Sequence, residues 1–290
     1  MKHLPILSFW FLGIVWGSNF IYMKMASEYI SASQIVLFRV LFGFIPVVIY
    51  SYFNGILKKT HLKHARHYFV MSLLATVVYY YGFVKGASLL LSGIAGALSG
   101  AIPIFAFITA MIFLKQEKIS LLKIIGVLVG FIGVVIIANP FSGDLSSTNI
   151  EGLIYMVGGS LSVGVSFIYA KKYVTSLNIP AAALTTYQLG LGLIILLIIV
   201  SFDDINNIWS DVHASIGLVL GLGLLGTGIA YIAYYYIINK LGAVNASAVT
   251  YIPPIVALTI GVVLVGEDIK LIDYFATVLV FIGVFLINKK

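Results

Sequence analysis

One basic residue, Arg39, lies well inside an apolar run of the sequence. It falls about eight residues from one end of that run, a depth of about 12 Å for a helix that rises 1.5 Å per residue. A charge at such a depth is costly and marks a functional candidate. One interpretation is that Arg39 binds an anionic or zwitterionic group. The alternative is that its side chain reaches outward to a carboxylate such as Glu28 and has a structural role.

Uncharged polar and aromatic residues accompany this charge in other apolar runs. Asn19 and Ser166 need hydrogen-bond partners, which a neighbouring helix or a ligand can supply. Trp16, one turn from Asn19, and the aligned residues Tyr81 and Tyr231 are candidates for an aromatic wall. The sequence predicts a substrate cavity lined by Trp16, Asn19, Arg39, Tyr81, Ser99, Pro103, Ser166, Tyr169, Gln188, Tyr231, Thr250 and Pro253.

The residue types that are missing narrow the chemistry. The chain has no cysteine, which excludes disulfides, thiolate metal sites and thiol catalysis. It has no GxxxxGK[ST] motif, so no ATP-driven motor is encoded in this chain. Every Asp and Glu lies at the end of an apolar run or in a connection, whereas intramembrane proton relays use buried acidic or histidine side chains. We expect no catalytic residues, no cofactor and no metal, and a facilitator or exchanger.

Two groups of charged or titratable residues lie in the connections. Glu117 and Glu267 precede the fifth and tenth apolar runs, where capping of helix N-termini is the expected role. The second connection combines three histidines with four basic residues, which opposes a metal site. A solvated patch that faces anionic lipid is the expectation for His61, His64 and His67.

The composition requires a lipid environment for these residues. Hydrophobic residues make up 61% of the chain and charged residues 9%, against about 25% charged in soluble domains. The apolar runs do not alternate as barrel strands would, so helices are predicted. The net charge of +7 comes from short clusters between the runs and does not indicate a nucleic-acid partner.

A span needs about 20 apolar residues. The predicted spans are 5–25, 31–53, 67–87, 91–114, 119–138, 151–171, 181–201, 213–237, 242–266 and 270–288.

The basic residues predict an orientation. Thirteen of the 17 Lys and Arg residues fall on one side of the ten spans, three on the other, and nine of the ten acidic residues lie opposite the basic majority. Basic connections stay cytoplasmic. The sequence therefore predicts a multi-pass protein of a bacterial-type plasma membrane, with both termini cytoplasmic, anionic lipid at the cytoplasmic face and the first span retained rather than cleaved as a signal peptide.

The two halves of the chain align when it is shifted by 150 residues. Pro103 then falls on Pro253 and Glu117 on Glu267, and with a shift of 149 Arg39 meets Gln188. Because each half holds five spans, the second is inserted upside down, as in transporters with inverted repeats. The predicted fold is all-α, with ten transmembrane helices in two inverted five-helix repeats, 1–140 and 150–290, around a central cavity. Two rows of small residues allow close helix packing: Ser92, Gly96 and Gly100, and Gly242, Ala246 and Thr250. The helices that carry them are predicted to be moving gates, and tight static packing is the alternative.

Several short motifs lie along both halves of the chain with matching spacing. They are Trp16-Gly17-Ser18-Asn19-Phe20, Lys24, Phe38-Arg39, Gly86-Ala87-Ser88, Gly96-Ala97, Pro103, Lys115-Gln116-Glu117, Gly126 to Gly133, Leu241-Gly242-Ala243, Ala246, Pro253-Pro254, Gly266-Glu267 and Gly283. In these motifs the sequence resembles the EamA family of the drug/metabolite transporter superfamily.

The resemblance implies ten helices, a cavity lined by spans one to four and six to nine, and peripheral spans five and ten near a homodimer contact. It also implies export or exchange of small metabolites such as amino acids. A nucleotide-like or cofactor exchanger of the same fold is the alternative, and a membrane enzyme or scaffold is the alternative from another class.

Overall fold

Short connections join ten helices in the part of the chain that the structure describes. The computed structural model describes residues 4–113, 120–138, 150–241 and 248–288. Seven of the helices are long and apolar enough to cross a membrane, and α5, α9 and α10 are shorter apolar helices. The predicted all-α membrane protein with ten spans is confirmed. The helices are α1 Leu4–Ser27, α2 Ala32–Phe53, α3 Lys59–Leu89, α4 Ser92–Phe113, α5 Leu121–Ala138, α6 Ile150–Leu177, α7 Ala181–Ile199, α8 Val212–Leu241, α9 Val249–Val265 and α10 Leu271–Asn288.

The helix contacts follow the inverted repeat. Helix α1 packs against α8 and α9, and its counterpart α6 packs against α3 and α4. Helix α2 contacts α8, as α7 contacts α3, while α2–α7, α4–α9 and α5–α10 each pair with their own counterpart. Such a pattern is what a pseudo-two-fold axis between α1–α5 and α6–α10 produces. Helices α1–α4 and α6–α9 form the bundle, and α5 and α10 pack mainly on each other beside it.

Several of these helices depart from regular α geometry near the middle of the bundle. Helix α3 contains a π segment at Leu73–Val77, and α8 contains a longer one at Gly217–Ile229. Helix α4 is interrupted between its segments Ser92–Ser99 and Ile102–Phe113. Departures of this kind free backbone carbonyls inside the bundle, and π segments are frequent at functional sites.

Helices α5 and α10 meet along a seam of glycines. A Cβ atom on Gly283 would lie 2.5 Å from the carbonyl oxygen of Gly126 and 2.6 Å from the Cα of Gly130. A Cβ atom on Gly133 would lie 2.6 Å from the carbonyl oxygen of Ala276. Only glycine allows backbones to approach this closely, which is how helices associate where no hydrophobic effect drives them together.

Contacts near the ends of the helices define two ends of the bundle. At the acidic end, Lys85 forms an ion pair with Glu151 at 4.0 Å, and the amide of Gln34 donates to the carbonyl of Asp203 at 2.6 Å. At the basic end, Lys172 donates to the carbonyl of Phe113 at 3.2 Å. The ends keep these names below.

One expectation for the basic end is wrong. His67 is not part of a solvated patch: it is 8% exposed, and its Nδ1 lies 2.8 Å from the hydroxyl of Tyr169. The cause is the early start of α3, which begins at Lys59 rather than at the predicted residue 67 and carries His67 into the contact with α6. The described residues hold no cluster suited to a metal ion.

Candidate substrate cavity

A small cavity lies between α1, α2, α3, α4 and α9. The volume open to the centre of a water molecule is about 10 Å³, close to the minimum for a single water. The cavity is therefore nearly closed in this state. It is lined by Trp16, Asn19, Phe20, Met23, Arg39, Tyr79, Phe83, Ser99, Ile102, Thr250 and Pro253.

Arg39 is the only charged residue among these lining residues and is 1% exposed. Its Nε donates to the hydroxyl of Thr227 at 2.9 Å, and Nη2 donates to the carbonyl of Gly226 at 3.2 Å. Nη1 faces the sulfur of Met23 at 3.7 Å, and the guanidinium lies 3.7 Å from the centre of the Tyr80 ring. The π segment of α8 supplies both the Gly226 carbonyl and the Thr227 hydroxyl.

Asn19 completes the surroundings of the guanidinium. With its amide oxygen turned to Arg39, Asn19 accepts from Nη2 at 2.9 Å and donates to the carbonyl of Val15 at 3.1 Å. A Cβ atom on Gly226 would lie 2.5 Å from this side chain, so glycine at 226 is what allows α1 and α8 to come together here.

The charge of Arg39 is not balanced within the described structure. The two ion pairs among the described residues are Lys24–Glu267 and Lys85–Glu151, and neither involves Arg39. The alternative in which Arg39 reaches out to Glu28 is therefore wrong, because the side chain is held inside by α8. An unpaired buried charge costs several kcal/mol, and the Tyr80 ring offsets about 2 kcal/mol of that.

The cavity contains a second unmatched group. The indole Nε1 of Trp16 is buried and has no hydrogen-bond partner among the described residues, and Trp16 is 5% exposed. An indole N–H can only donate. The residues that line the cavity thus include one with an unpaired buried donor and one with a positive charge that no described carboxylate balances.

The Arg39 contact has a pseudo-symmetric counterpart. The amide of Gln188 in α7 donates to the hydroxyl of Thr76 in α3 at 2.8 Å, as Arg39 in α2 donates to Thr227 in α8. The hydroxyl of Tyr235 also donates to the Gln188 amide oxygen. One repeat therefore places a neutral amide where the other places a cation.

The structure brings half of the predicted site residues to the cavity. Six lie elsewhere in the bundle. Tyr81 is a correction: it is 38% exposed and packs against Tyr155 on the outside of α3. Tyr231 is buried behind Tyr80, with ring centres 6.3 Å apart.

The remaining four predicted site residues contact other parts of the bundle and do not line the cavity. The Ser166 hydroxyl donates to the carbonyl of Val163, Tyr169 contacts His67 at the basic end, and Gln188 bonds to α3 and α8. Pro103 is buried in the second segment of α4, directly after the interruption.

Several residues that surround Arg39 or line the cavity were not predicted. Thr227 and Thr76 are related by a shift of 151 residues, close to the shift of the repeat, and this relation was a usable signal. Tyr79 and Phe83 lie one turn apart on the face of α3 that lines the cavity, whereas Tyr81 lies on the outside of this helix. The unpredicted residues are Phe20, Met23, Tyr79, Tyr80, Phe83, Ile102, Gly226 and Thr227.

At the acidic end of the bundle, Glu267 binds the start of α4. Its carboxylate accepts from the backbone N–H of Ser92 at 2.7 Å, from the Ser92 hydroxyl at 2.8 Å and from the N–H of Gly93 at 2.9 Å. Lys24 lies 3.8 Å away and also donates to the carbonyl of Leu90. The expected capping role is correct in kind, but Glu267 caps α4 rather than α10. Glu117 lies outside the described residues.

Next to this contact, the acidic halves of α4 and α9 pack against each other. Gly96 faces Ala257 so closely that a Cβ atom has no room, and a Cβ atom on Gly100 would lie 3.4 Å from the side chain of Pro254. The row of small residues in α4 therefore makes a tight helix contact in this state. Gly242 and Ala246 of the second row lie outside the described residues.

The family match and the relatives of this chain are all described as transporters. Residues 3–139 and 150–289 each match the EamA-like transporter family. An uncharacterized transporter of Archaeoglobus fulgidus is 26% identical, covering 95% of each chain. The uncharacterized transporter YoaV of Bacillus subtilis is 22% identical over 94% of this chain and 92% of its own. The uncharacterized inner membrane transporter YedA of Escherichia coli is 28% identical over 69% and 65%.

A solved crystal structure supports the same fold. It aligns with a TM-score of 0.61 at 16% identity and covers 97% of this chain and 95% of that chain. Identity this low shows the fold alone. Because the family match spans both five-helix repeats, the chain is a multi-pass membrane protein that belongs to the EamA-like transporter family.

Proposed function

We propose that the chain is a secondary transporter that carries a small organic metabolite through the central cavity by alternating access. The observation that carries this proposal is the pseudo-two-fold pairing of helices around a cavity that contains Arg39 and Asn19. We infer that Glu267, which holds the start of α4, closes this cavity at the acidic end. In an inverted repeat, each half can adopt the conformation of the other. Exchange of the two conformations would open the cavity to each end of the bundle in turn.

The orientation follows from the charges at the two ends. The acidic end faces the outside and the basic end faces the cytoplasm, as the bias of Lys and Arg requires. The proposed membrane is a bacterial-type inner membrane, since the Escherichia coli relative YedA is named an inner membrane transporter. Export or exchange is the proposed direction. Amino acids and related metabolites are one candidate class of cargo.

The lining of the cavity supports transport over the alternatives. Among the described lining residues there is no carboxylate pair and no nucleophile with an adjacent base, which a hydrolytic enzyme needs. One cation is also too few for the several negative charges of a nucleotide. The absence of acidic lining residues favours a facilitator or exchanger over proton coupling.

The test is a metabolite screen followed by flux measurements. Ligands that bind the purified protein raise its thermal stability by RT ln(1 + [L]/Kd), which is about 2.7 kcal/mol at a hundredfold excess over Kd. Each hit is then loaded into proteoliposomes and its exchange is measured with and without a proton gradient. We expect saturable flux that survives collapse of the gradient. Hits that are chemically converted, or that bind without crossing the membrane, contradict the proposal.

A further inference from the structure

We propose that the cavity recognises one carboxylate group on a small, otherwise uncharged metabolite with an apolar body, through Arg39 and Trp16. This inference rests on the proposed transport function, because it names the class of substrate for the same cavity. It goes beyond the family assignment, since the relatives above are named only as uncharacterized transporters.

The first argument is charge. Every described contact of the Arg39 guanidinium is neutral: a hydroxyl, a carbonyl, an amide, a thioether and an aromatic face. Among the described residues, the thioether of Met23 is the only partner of Nη1, and a thioether is a weak acceptor. Nη1 therefore retains N–H capacity for a carboxylate, which also supplies the missing negative charge. Arg39 occupies this position without a structural ion pair among the described residues.

The second argument is the hydrogen-bond inventory. The Trp16 indole N–H is buried and unpaired on the lining that Arg39 shares. Both unmatched groups are donors. A ligand that satisfies them must offer acceptors and need not offer donors. A carboxylate meets this requirement, whereas an ammonium or an amide nitrogen does not.

The third argument concerns what surrounds the two donors. No described lining residue is Asp or Glu, so the ammonium group of a zwitterion would enter without a counter-charge. Arg39 is the only cation on this lining, so a dianion would leave one charge unpaired. The aromatic side chains instead form an apolar wall, with ring centres 5.7 Å apart for Phe20–Phe83 and 4.6 Å for Tyr79–Phe83. Monocarboxylates with a flat or apolar body match this combination.

The test uses phenylacetate, its neutral amide phenylacetamide and the zwitterion phenylalanine as probes. Dissociation constants are measured on the purified full-length protein, with thermal shifts as a second readout. In the wild type we expect phenylacetate to bind at least tenfold more tightly than either other probe. Arg39→Gln is expected to weaken phenylacetate at least tenfold and to leave phenylacetamide unchanged. Arg39→Lys, which keeps the charge but not the planar fork, should lie between them.

Two further variants separate recognition from folding. Lys85→Gln removes an equal charge at the acidic end, where Lys85 pairs with Glu151, and should bind like the wild type. Trp16→Phe keeps an aromatic ring, removes the N–H and should weaken phenylacetate about threefold. If Arg39→Gln does not fold, the preference of the wild type for acid over amide and its reduction in Trp16→Phe decide the question.

The outcomes separate this site from the transport function. Equal binding of acid and amide by the wild type, tighter binding of phenylalanine, or no binding of phenylacetate overturns the monocarboxylate site. Equal loss of acid and amide in Arg39→Gln also overturns it, because that pattern reports structural damage. Acid-selective binding without flux in proteoliposomes supports the site and refutes transport. Flux of neutral metabolites without acid selectivity supports transport and refutes the site.

Discussion

Replacing Glu267 with glutamine should release the closure at the acidic end. The carboxylate accepts three hydrogen bonds from Ser92 and Gly93, and its side chain is 4% exposed. Hydrogen bonds to a charged group contribute about 1.5–3 kcal/mol each. Glutamine keeps the shape but turns an NH₂ group toward one of the donors, so about one such bond is lost. A loss of about 2–3 kcal/mol shifts the balance toward the open acidic end by about 30- to 160-fold.

The absence of cysteine from the chain makes this shift measurable. Ser99 lines the cavity, and Ser99→Cys is a nearly isosteric reporter. A maleimide that does not cross membranes is applied from the side of the acidic end, and the labelling rate is followed in intact cells. In the Glu267→Gln background we expect labelling of the cavity cysteine to accelerate by the same factor of about 30 to 160.

The control removes an equal charge from the same end. Glu151 is 58% exposed and pairs with Lys85 at 4.0 Å, so Glu151→Gln should leave the labelling rate unchanged. Equal rates in the Glu267 and Glu151 variants would refute the gating role of Glu267. Faster labelling from the basic end alone would also refute it, because the assigned closure lies at the other end.

Three further predictions concern stability, measured as the midpoint of thermal unfolding in detergent. Gly283→Ala should lower the midpoint, since its Cβ would meet the α5 backbone, whereas Gly158→Ala, which has open space around it, should leave it unchanged or raise it. Thr76→Val should cost about 1 kcal/mol by removing the acceptor of the Gln188 amide, and an unchanged midpoint would contradict that hydrogen bond. Lys85→Gln should change the midpoint little, because exposed ion pairs contribute at most about 1 kcal/mol.

Much of the fold follows from the sequence because its signals are global. Ten apolar runs, the side preference of Lys and Arg and the 150-residue shift each constrain the whole chain. The side chains that line the cavity do not follow from the sequence in the same way. The alignment places Tyr81 opposite Tyr231, yet Tyr80 contacts Arg39 and Tyr81 faces outward. The π segment Leu73–Val77 adds a residue to one turn, and one residue rotates every later position by about 100°.

The sequence also did not indicate which helix Glu267 caps. Its position before α10 indicates a helix cap, which is the role it has. The helix that it caps begins at Ser92, which is 175 residues away in the chain. In the sequence, the helix end nearest to Glu267 is the start of α10. In the structure, the packing of α4 against α9 places the start of α4 beside Glu267.

The charge of Arg39 has a consequence for membrane voltage. Arg39 lies about eight residues into α2, or about 12 Å from the acidic end. A cavity that opens to one compartment takes the electrical potential of that compartment, and a full unit charge then gains up to about 2.3 kcal/mol per 100 mV. In the proposed orientation and transport cycle, a negative cytoplasm would draw the empty, positively charged cavity toward the cytoplasmic side. A carboxylate bound as proposed would cancel the charge of Arg39 and remove that bias, so the voltage would act on the empty carrier and not on the loaded one.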